Sequence, residues 1–227
     1  MSSFKRPESK YFAWILVVVI LSGVIIEIQS NFGGRASGAS QNVSLYQSSF
    51  ICGTSRKLQC KVGEIGPGGG TIFFVDYDNI YPGFNFLEAA PAGWFGPGTP
   101  DDPALTWCSD TSNTLEKSLT IWGNRAIGQG QTNTATMNAT CTSGAAFEVK
   151  KFNASNRNRY SDWFLPSLGE LILLTQNMQG LGDLLASDYW SSSEYSDLGG
   201  WVQSVGHGYQ GSASKTTTFK VRPIRSF

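Results

Sequence analysis

Nine residues, Asp162-Trp163-Phe164-Leu165-Pro166-Ser167-Leu168-Gly169-Glu170, constrain the fold more than any other stretch of the chain. Ser167 followed three residues later by Glu170 is the signature of a capping box, and Pro166 ahead of it suits a helix start but not a helix interior. A helix therefore begins at Ser167, with Leu168, Leu171, Ile172 and Met178 as its apolar stripe and Gly180 and Gly182 as its end. Trp163 and Leu165, just before the cap, read as plugs of the core. The run Tyr189-Trp190-Ser191-Ser192-Ser193-Glu194 that follows reads as a strand. One helix and one strand cannot cover each other's apolar faces, so the motif predicts further strands elsewhere in the chain.

Those strands can be placed from local pattern. Gly63-Glu64-Ile65-Gly66-Pro67-Gly68-Gly69-Gly70 runs into Thr71-Ile72-Phe73-Phe74-Val75. No Gly-Lys-Ser/Thr follows and the next element is β-branched and aromatic, so the glycines form a turn into a first core strand and not a phosphate loop. Asp76-Tyr77-Asp78-Asn79 ends that strand, and Phe84 to Ala90 supplies its return partner. Two acids and an amide fall short of the six to eight oxygens that calcium takes, so the turn reads as a polar hairpin loop. At the other end of the chain, Asp188 to Ser193, Gly200 to Val205 and Thr217 to Ile224 read as an antiparallel meander. Within it Trp201, Gln203 and Val205 mark the alternation of a sheet with one covered face. First and last strands are expected to close into one sheet, which brings the ends of the domain together.

Between the strands, Pro91 to Gly130 is a long excursion rich in Gly, Pro and Trp. Its Trp94, Trp107 and Trp122 are expected to fill core beneath the loop more than to serve as sugar-stacking platforms. A helix near Asn133 to Phe152 follows, capped by Thr or Asn, with Met137, Cys141 and Ala145 at fourfold spacing and a bend or end at Gly144. The 26 glycines, 9 prolines and 41% apolar residues fit one loop-rich α+β domain and not a helical bundle. Two helices over an antiparallel sheet are expected.

The N-terminus carries a different signal. Lys5, Arg6 and Lys10 precede Tyr11 to Ile26, an apolar run interrupted only by Ser22 and Gly23. Its sixteen residues rise about 24 Å as a helix, short of a hydrocarbon core of about 30 Å, so spanning recruits Ile28. The nearest small-residue site, Ile28-Gln29-Ser30, matches the Ala-x-Ala preference poorly, and Ala36 to Ala39 lies rather far downstream. The reading is an uncleaved transmembrane signal anchor over residues 11–28 behind a cytoplasmic basic segment over 1–10, with cleavage and secretion as the alternative. Residues 29–50 then form a flexible linker, and 51–227 an extracellular domain in which Cys52, Cys60, Cys108 and Cys141 can pair. Three connectivities exist. The simplest, Cys52 with Cys60 and Cys108 with Cys141, is worth about 2.5 and 4 kcal/mol of chain entropy. A single His and the absence of Cys-x-x-Cys argue against a zinc site.

Several of these fragments together resemble the C-terminal domain family of Lcl, a family named for a bacterial collagen-like surface adhesin. They are the Gly-Pro-Gly-Gly-Gly turn before Thr71-Ile72-Phe73-Phe74-Val75-Asp76, then Phe86-Leu87-Glu88-Ala89-Ala90-Pro91, Ile127-Gly128-Gln129-Gly130 with Asn133-Thr134, Asp162 to Ser167 with Glu170-Leu171, Tyr189-Trp190 to Glu194, Trp201, and Val221-Arg222. They span roughly residues 62 to 227 in the family's order. The resemblance implies a C-type-lectin-like fold, an exported setting and binding of surfaces or glycans. Asp162, Trp163, Leu165, Pro166, Ser167, Glu170, Trp190 and Trp201 are then its structural motif. No collagen Gly-x-y repeat precedes the domain, and the calcium motifs Glu-Pro-Asn and Trp-Asn-Asp of sugar-binding C-type lectins are missing.

Function follows less directly. Lys plus Arg equals Asp plus Glu at 17 each; residues 1–30 hold three bases and two acids, which leaves 14 against 15 beyond them. Such a near-neutral domain has no field to draw in nucleic acid or a sulfated polymer. Catalysis is not expected: the cysteines read as staples, His207 sits between two glycines, and Glu194 with Asp197 reads as a solvated turn beside Tyr195. Neither cofactor nor metal is expected. Ligand-binding residues are sought on loops held out by the sheet, in the group Tyr195, Asp197, His207, Tyr209 and Lys215, where an aromatic beside polar groups suits a sugar's apolar face and hydroxyls. Arg222 and Arg225 are expected to flank the last strand and to pair with Glu170 or Asp162. The function expected is an anchored recognition or adhesion module for a glycan or cell-surface protein, the alternative a structural cell-envelope domain that binds other proteins. Asn42, Asn138 and Asn153 begin glycosylation sequons.

Overall fold

The computed structural model describes residues 60–115, 123–155, 159–178, 181 and 184–227. The chain divides into two units, Met1–Gln47 and Ser48–Phe227, and every described residue belongs to the second. The expected anchor over 11–28, the linker over 29–50, Cys52, Trp122, Gly180 and Gly182 lie outside the described residues. Among the described residues no helix is long and apolar enough to cross a membrane.

In chain order the elements are β1 (Thr71–Val75), β2 (Phe86–Ala89), β3 (Ala104–Leu105), a 3-10 turn (Gly123–Arg125), α1 (Gly130–Thr140), α2 (Ala145–Asn153), α3 (Leu168–Met178), β4 (Asp188–Glu194), β5 (Gly199–Ser204), β6 (Gln210–Ser214), β7 (Phe219–Lys220) and β8 (Ile224–Ser226). The α+β class expected from the sequence is the class observed. The strands form two sheets, ordered β1-β2-β8 and β3-β7-β4-β5-β6. All pairings are antiparallel except the parallel contact of β4 with β7 at Tyr189 and Lys220. β8 lies beside β2, so the first and last strands do share a sheet.

Four expectations need correction. There are three helices, not two, because the predicted helix over Asn133 to Phe152 breaks at Gly144. That residue has φ +99°, and a Cβ there would lie 2.9 Å from the carbonyl oxygens of Thr106 and Trp107, so only glycine fits. The Ala145 N–H donates to both carbonyls and starts α2 against the 106–108 segment. Helix α1 is capped at Gln129 without a side-chain bond; Asn133 and Thr134 lie inside it and use their side chains on Asn124 and Leu165. The predicted strand Thr217 to Ile224 is two strands in different sheets, joined through Val221 to Pro223, where proline has no N–H for a ladder. Finally, β4 and β5 are buried on both faces, so Trp201, Gln203 and Val205 do not mark a one-sided sheet. The buried serines of β4 are satisfied within the protein: Ser191 donates to the Trp201 carbonyl, and Ser193 to that of Asn124.

Trp163 and Leu165 enter one apolar cluster, with Trp94, Trp107, Met137, Val149, Trp190 and Val221. Phe164 between them enters a second, with Phe73, Leu87, Leu171, Leu174 and Met178. Alternate residues of the motif thus face two cores. Phe164 also exchanges both backbone bonds with Ile224 of β8. The capping box is present: the Ser167 N–H donates to Glu170 Oε2 at 2.7 Å, and the Glu170 N–H to Ser167 Oγ at 3.3 Å. Leu174, not Ile172, completes the buried stripe of α3. Trp94 and Trp107 are core residues, as expected. Cys108 and Cys141 are bonded to each other. Cys60 is buried and also disulfide-bonded.

Candidate functional site

The five residues expected to form one ligand group are split between opposite ends of the β5–β6 hairpin. Tyr195 and Asp197 lie on the β4–β5 turn, and the Lys215 N–H donates to the Leu198 carbonyl at that same end. His207 and Tyr209 lie on the β5–β6 turn. The length of β5 separates the two turns, roughly 17–20 Å at about 3.3 Å per residue. One small ligand cannot touch both.

Lys215 is not an exposed lysine. It is fully buried, with Nζ 2.6 Å from Glu194 Oε1, 2.8 Å from the Asn113 carbonyl oxygen and 5.0 Å from the centre of the Trp107 ring. Glu194, expected on a solvated turn, is buried too and also accepts the Leu115 N–H at 3.0 Å. At the His207 end, His207 Nδ1 lies 3.3 Å from Ser204 Oγ and the ring sits 6.1 Å from that of Tyr209. Tyr209 is 55% exposed.

The Tyr195 end is the more built of the two. Tyr195 is 41% exposed and meets the Trp201 ring edge-on, with centroids 5.1 Å apart. Arg125 lays its guanidinium 4.6 Å from the centre of that ring. Leu198, 58% exposed, caps the turn, and the Asp197 carboxylate accepts its N–H at 3.0 Å. The turn is held by strand pairing from Tyr195 to Gly199 and, beneath it, by the Lys215–Glu194 pair. An exposed aromatic face next to a planar cation and a carboxylate can stack on an apolar ring face and bond hydroxyls around it. Trp201, expected as a purely structural residue, is thus only half-buried and forms the floor of this patch. Arg125 carried no sequence signal, since only the fold brings it to Trp201.

Several other charges are internal struts. Arg225 holds Asp162 through two bonds of 2.9 and 2.8 Å, as one of the expected pairings had it, and reaches Glu88 at 3.2 Å. The Glu88 carboxylate also accepts the N–H groups of Gly68 and Gly70. Burial pushes this carboxyl above its ordinary value, against the pull of those bonds and of Arg225. Arg222 pairs with Asp102 at 2.6 Å, not with Glu170, whose oxygens accept the Ser167 and Gly128 N–H groups. Tyr189 and Trp94 donate to the same Asp102. Burial first, then the Asp102 charge, raises the Tyr189 phenol above its usual range, so it stays a neutral donor.

A shallow depression of about 470 Å³ lies over Gly93 and Gly96 to Pro100. Its one hydroxyl, Thr99, is spent on the Gly96 carbonyl. Among the described residues no three of His, Cys, Asp or Glu are placed to hold a metal ion.

No protein-family model matches the chain, so the resemblance to the Lcl C-terminal domain rests on the residues that carry it. No curated protein matches it either. Among solved structures, a fimbrial protein from Bacteroides ovatus ATCC 8483 is similar at 13% identity and a TM-score of 0.49. The alignment covers 70% of this chain and 44% of that one, so the chain spans less than half of its neighbour. A likeness of this size decides nothing about function.

Proposed function

We propose that this protein is an exported, membrane-anchored recognition module that binds a glycan or another surface ligand at the β4–β5 end of its larger sheet, without catalysis and without a cofactor. One observation carries this reading: the rigidly held patch in which Tyr195 stands edge-on to Trp201 and Arg125 covers the indole. Carbohydrate recognition uses aromatic side chains beside polar groups, placed on a loop that the sheet keeps still. The Cys108–Cys141 bond suits an oxidising compartment, and the basic flank before Tyr11 suits insertion with the domain outside. The Lcl-like residue pattern points to the same setting.

A glycan array probed with the full chain, with and without calcium, tests the reading. The expected result is a consistent set of hits, unchanged by calcium, lost in Tyr195→Ala and kept in Tyr209→Ala. Loss only in Tyr209→Ala moves the site to the His207 turn. A clean array together with reproducible co-purification of envelope proteins sinks it in favour of the structural, protein-binding alternative.

A further inference from the structure

Among the described residues, two of the four outer strand edges are bonded by other segments and a third is short. The outer edge of β1 is bonded by the segment before it, Gly63 N–H to the Ile72 carbonyl and Ile72 N–H to that of Glu64. The outer edge of β8 is bonded by Phe164, and β3 is two residues long. β6 differs. It is five residues long, pairs with β5 in unbroken register from Gln203↔Gln210 to Gly199↔Ser214, and among the described residues no strand lies on its other side.

Antiparallel pairing fixes which groups face out. The Ser204 N–H donates to the Tyr209 carbonyl, and the Lys215 N–H to that of Leu198. Residues 209, 211, 213 and 215 therefore turn their backbone groups toward β5, and Gln210, Ser212 and Ser214 turn theirs outward. All three are exposed. Proteins usually protect such an edge with lysine, proline, a bulge or a charge. Gln210-Gly211-Ser212-Ala213-Ser214 has none of these, and the one nearby lysine, Lys215, is folded inward onto Glu194.

We propose that β6 is a self-association edge, on which a second copy of this chain adds its own β6 antiparallel about a two-fold axis through Ser212. This goes beyond the ligand patch at Tyr195. The axis sets Ser212 opposite Ser212 of the second copy and Gln210 opposite Ser214, so the outward backbone groups meet complements, with the Ser214 carbonyl shared between the incoming Gln210 N–H and the Thr217 N–H it already accepts at 2.9 Å. An antiparallel edge is self-complementary in its backbone. What normally forbids homotypic pairing is like charge facing like charge, and no charged residue lies on this edge. Equal numbers of acidic and basic residues leave no net repulsion between copies. The two Tyr195 patches would then sit on one continuous sheet, which raises the avidity of weak contacts.

Sedimentation of the 227-residue chain in detergent, over a wide concentration range, tests this. The apolar N-terminal stretch is common to all variants, so differences among them read the edge. Ser212→Pro removes an N–H that faces away from β5, and Ser212→Lys leaves the backbone intact but sets two ammonium groups opposite each other. The expected result is a dimer that each substitution weakens by roughly tenfold or more, with the thermal midpoint unchanged. Ser212→Cys should give a disulfide-linked dimer. A chain that stays monomeric at every concentration, or a dimer indifferent to Ser212→Lys, overturns the proposal.

Discussion

A lysine with no water around its ammonium costs several kcal/mol unless carboxylates and carbonyls surround it, and Lys215 has both within 2.8 Å. Lys215→Met is expected to lower stability by about 3–5 kcal/mol, because the Glu194 charge stays buried without its cation. Lys215→Met combined with Glu194→Gln should cost clearly less than the two single changes summed. Urea unfolding of the four proteins in a double-mutant cycle measures this, and simple additivity would show that the pair is not coupled. From sequence, Lys215 looked like loop surface because its neighbours are Ser, Thr and Ala. Its partner Glu194 is 21 residues away and meets it only when β4, β5 and β6 lie side by side. Arg222 and Asp102, 120 residues apart, were equally hidden. Asp162 was legible as a partner of Arg225, whereas Glu88 was not.

Helix α3 was readable because its start is written in four consecutive residues. Its cap also makes stability depend on pH. Burial raises the Glu170 carboxyl from its ordinary 4.5, opposed by N–H bonds from Ser167, Gly128 and Gly130. A carboxyl raised in the folded state stabilises fully below its unfolded value and loses that contribution as pH rises through its folded value. Glu170→Gln cannot titrate. It is therefore expected to cost most near pH 4.5, about 1–3 kcal/mol, and less near pH 8. Chemical denaturation at the two pH values checks the sign; a cost that grows with pH contradicts it. The α1–α2 break was half legible, since Gly144 itself signals a bend or an end, whereas the Thr106 and Trp107 carbonyls that demand a glycine there lie far away in sequence. β6 was invisible: Gln-Gly-Ser-Ala-Ser has no branched or aromatic residue, and its extended form is imposed by pairing with β5.

For the whole molecule, the Cys108–Cys141 bond ties the irregular excursion to the end of α1 across a separation of 33 residues. The double variant Cys108→Ala/Cys141→Ala is expected to lose about 3–4 kcal/mol, close to the loop-closure entropy of that span. Guanidinium unfolding monitored by the buried tryptophans reads the change, and a loss below about 1 kcal/mol would mean that packing alone holds the excursion. The sequence by itself determined the α+β class, the capped helix, the core tryptophans and the sheet that joins both ends of the domain. Each of these rests on residues a few positions apart, on apolar patterning or on composition. Only the tertiary structure decided that two sheets form, that Lys215 is buried, that the expected ligand group is split by the length of β5, and that Arg125 covers Trp201. Those outcomes depend on which strands become neighbours, and strand neighbours are set by packing between residues tens of positions apart.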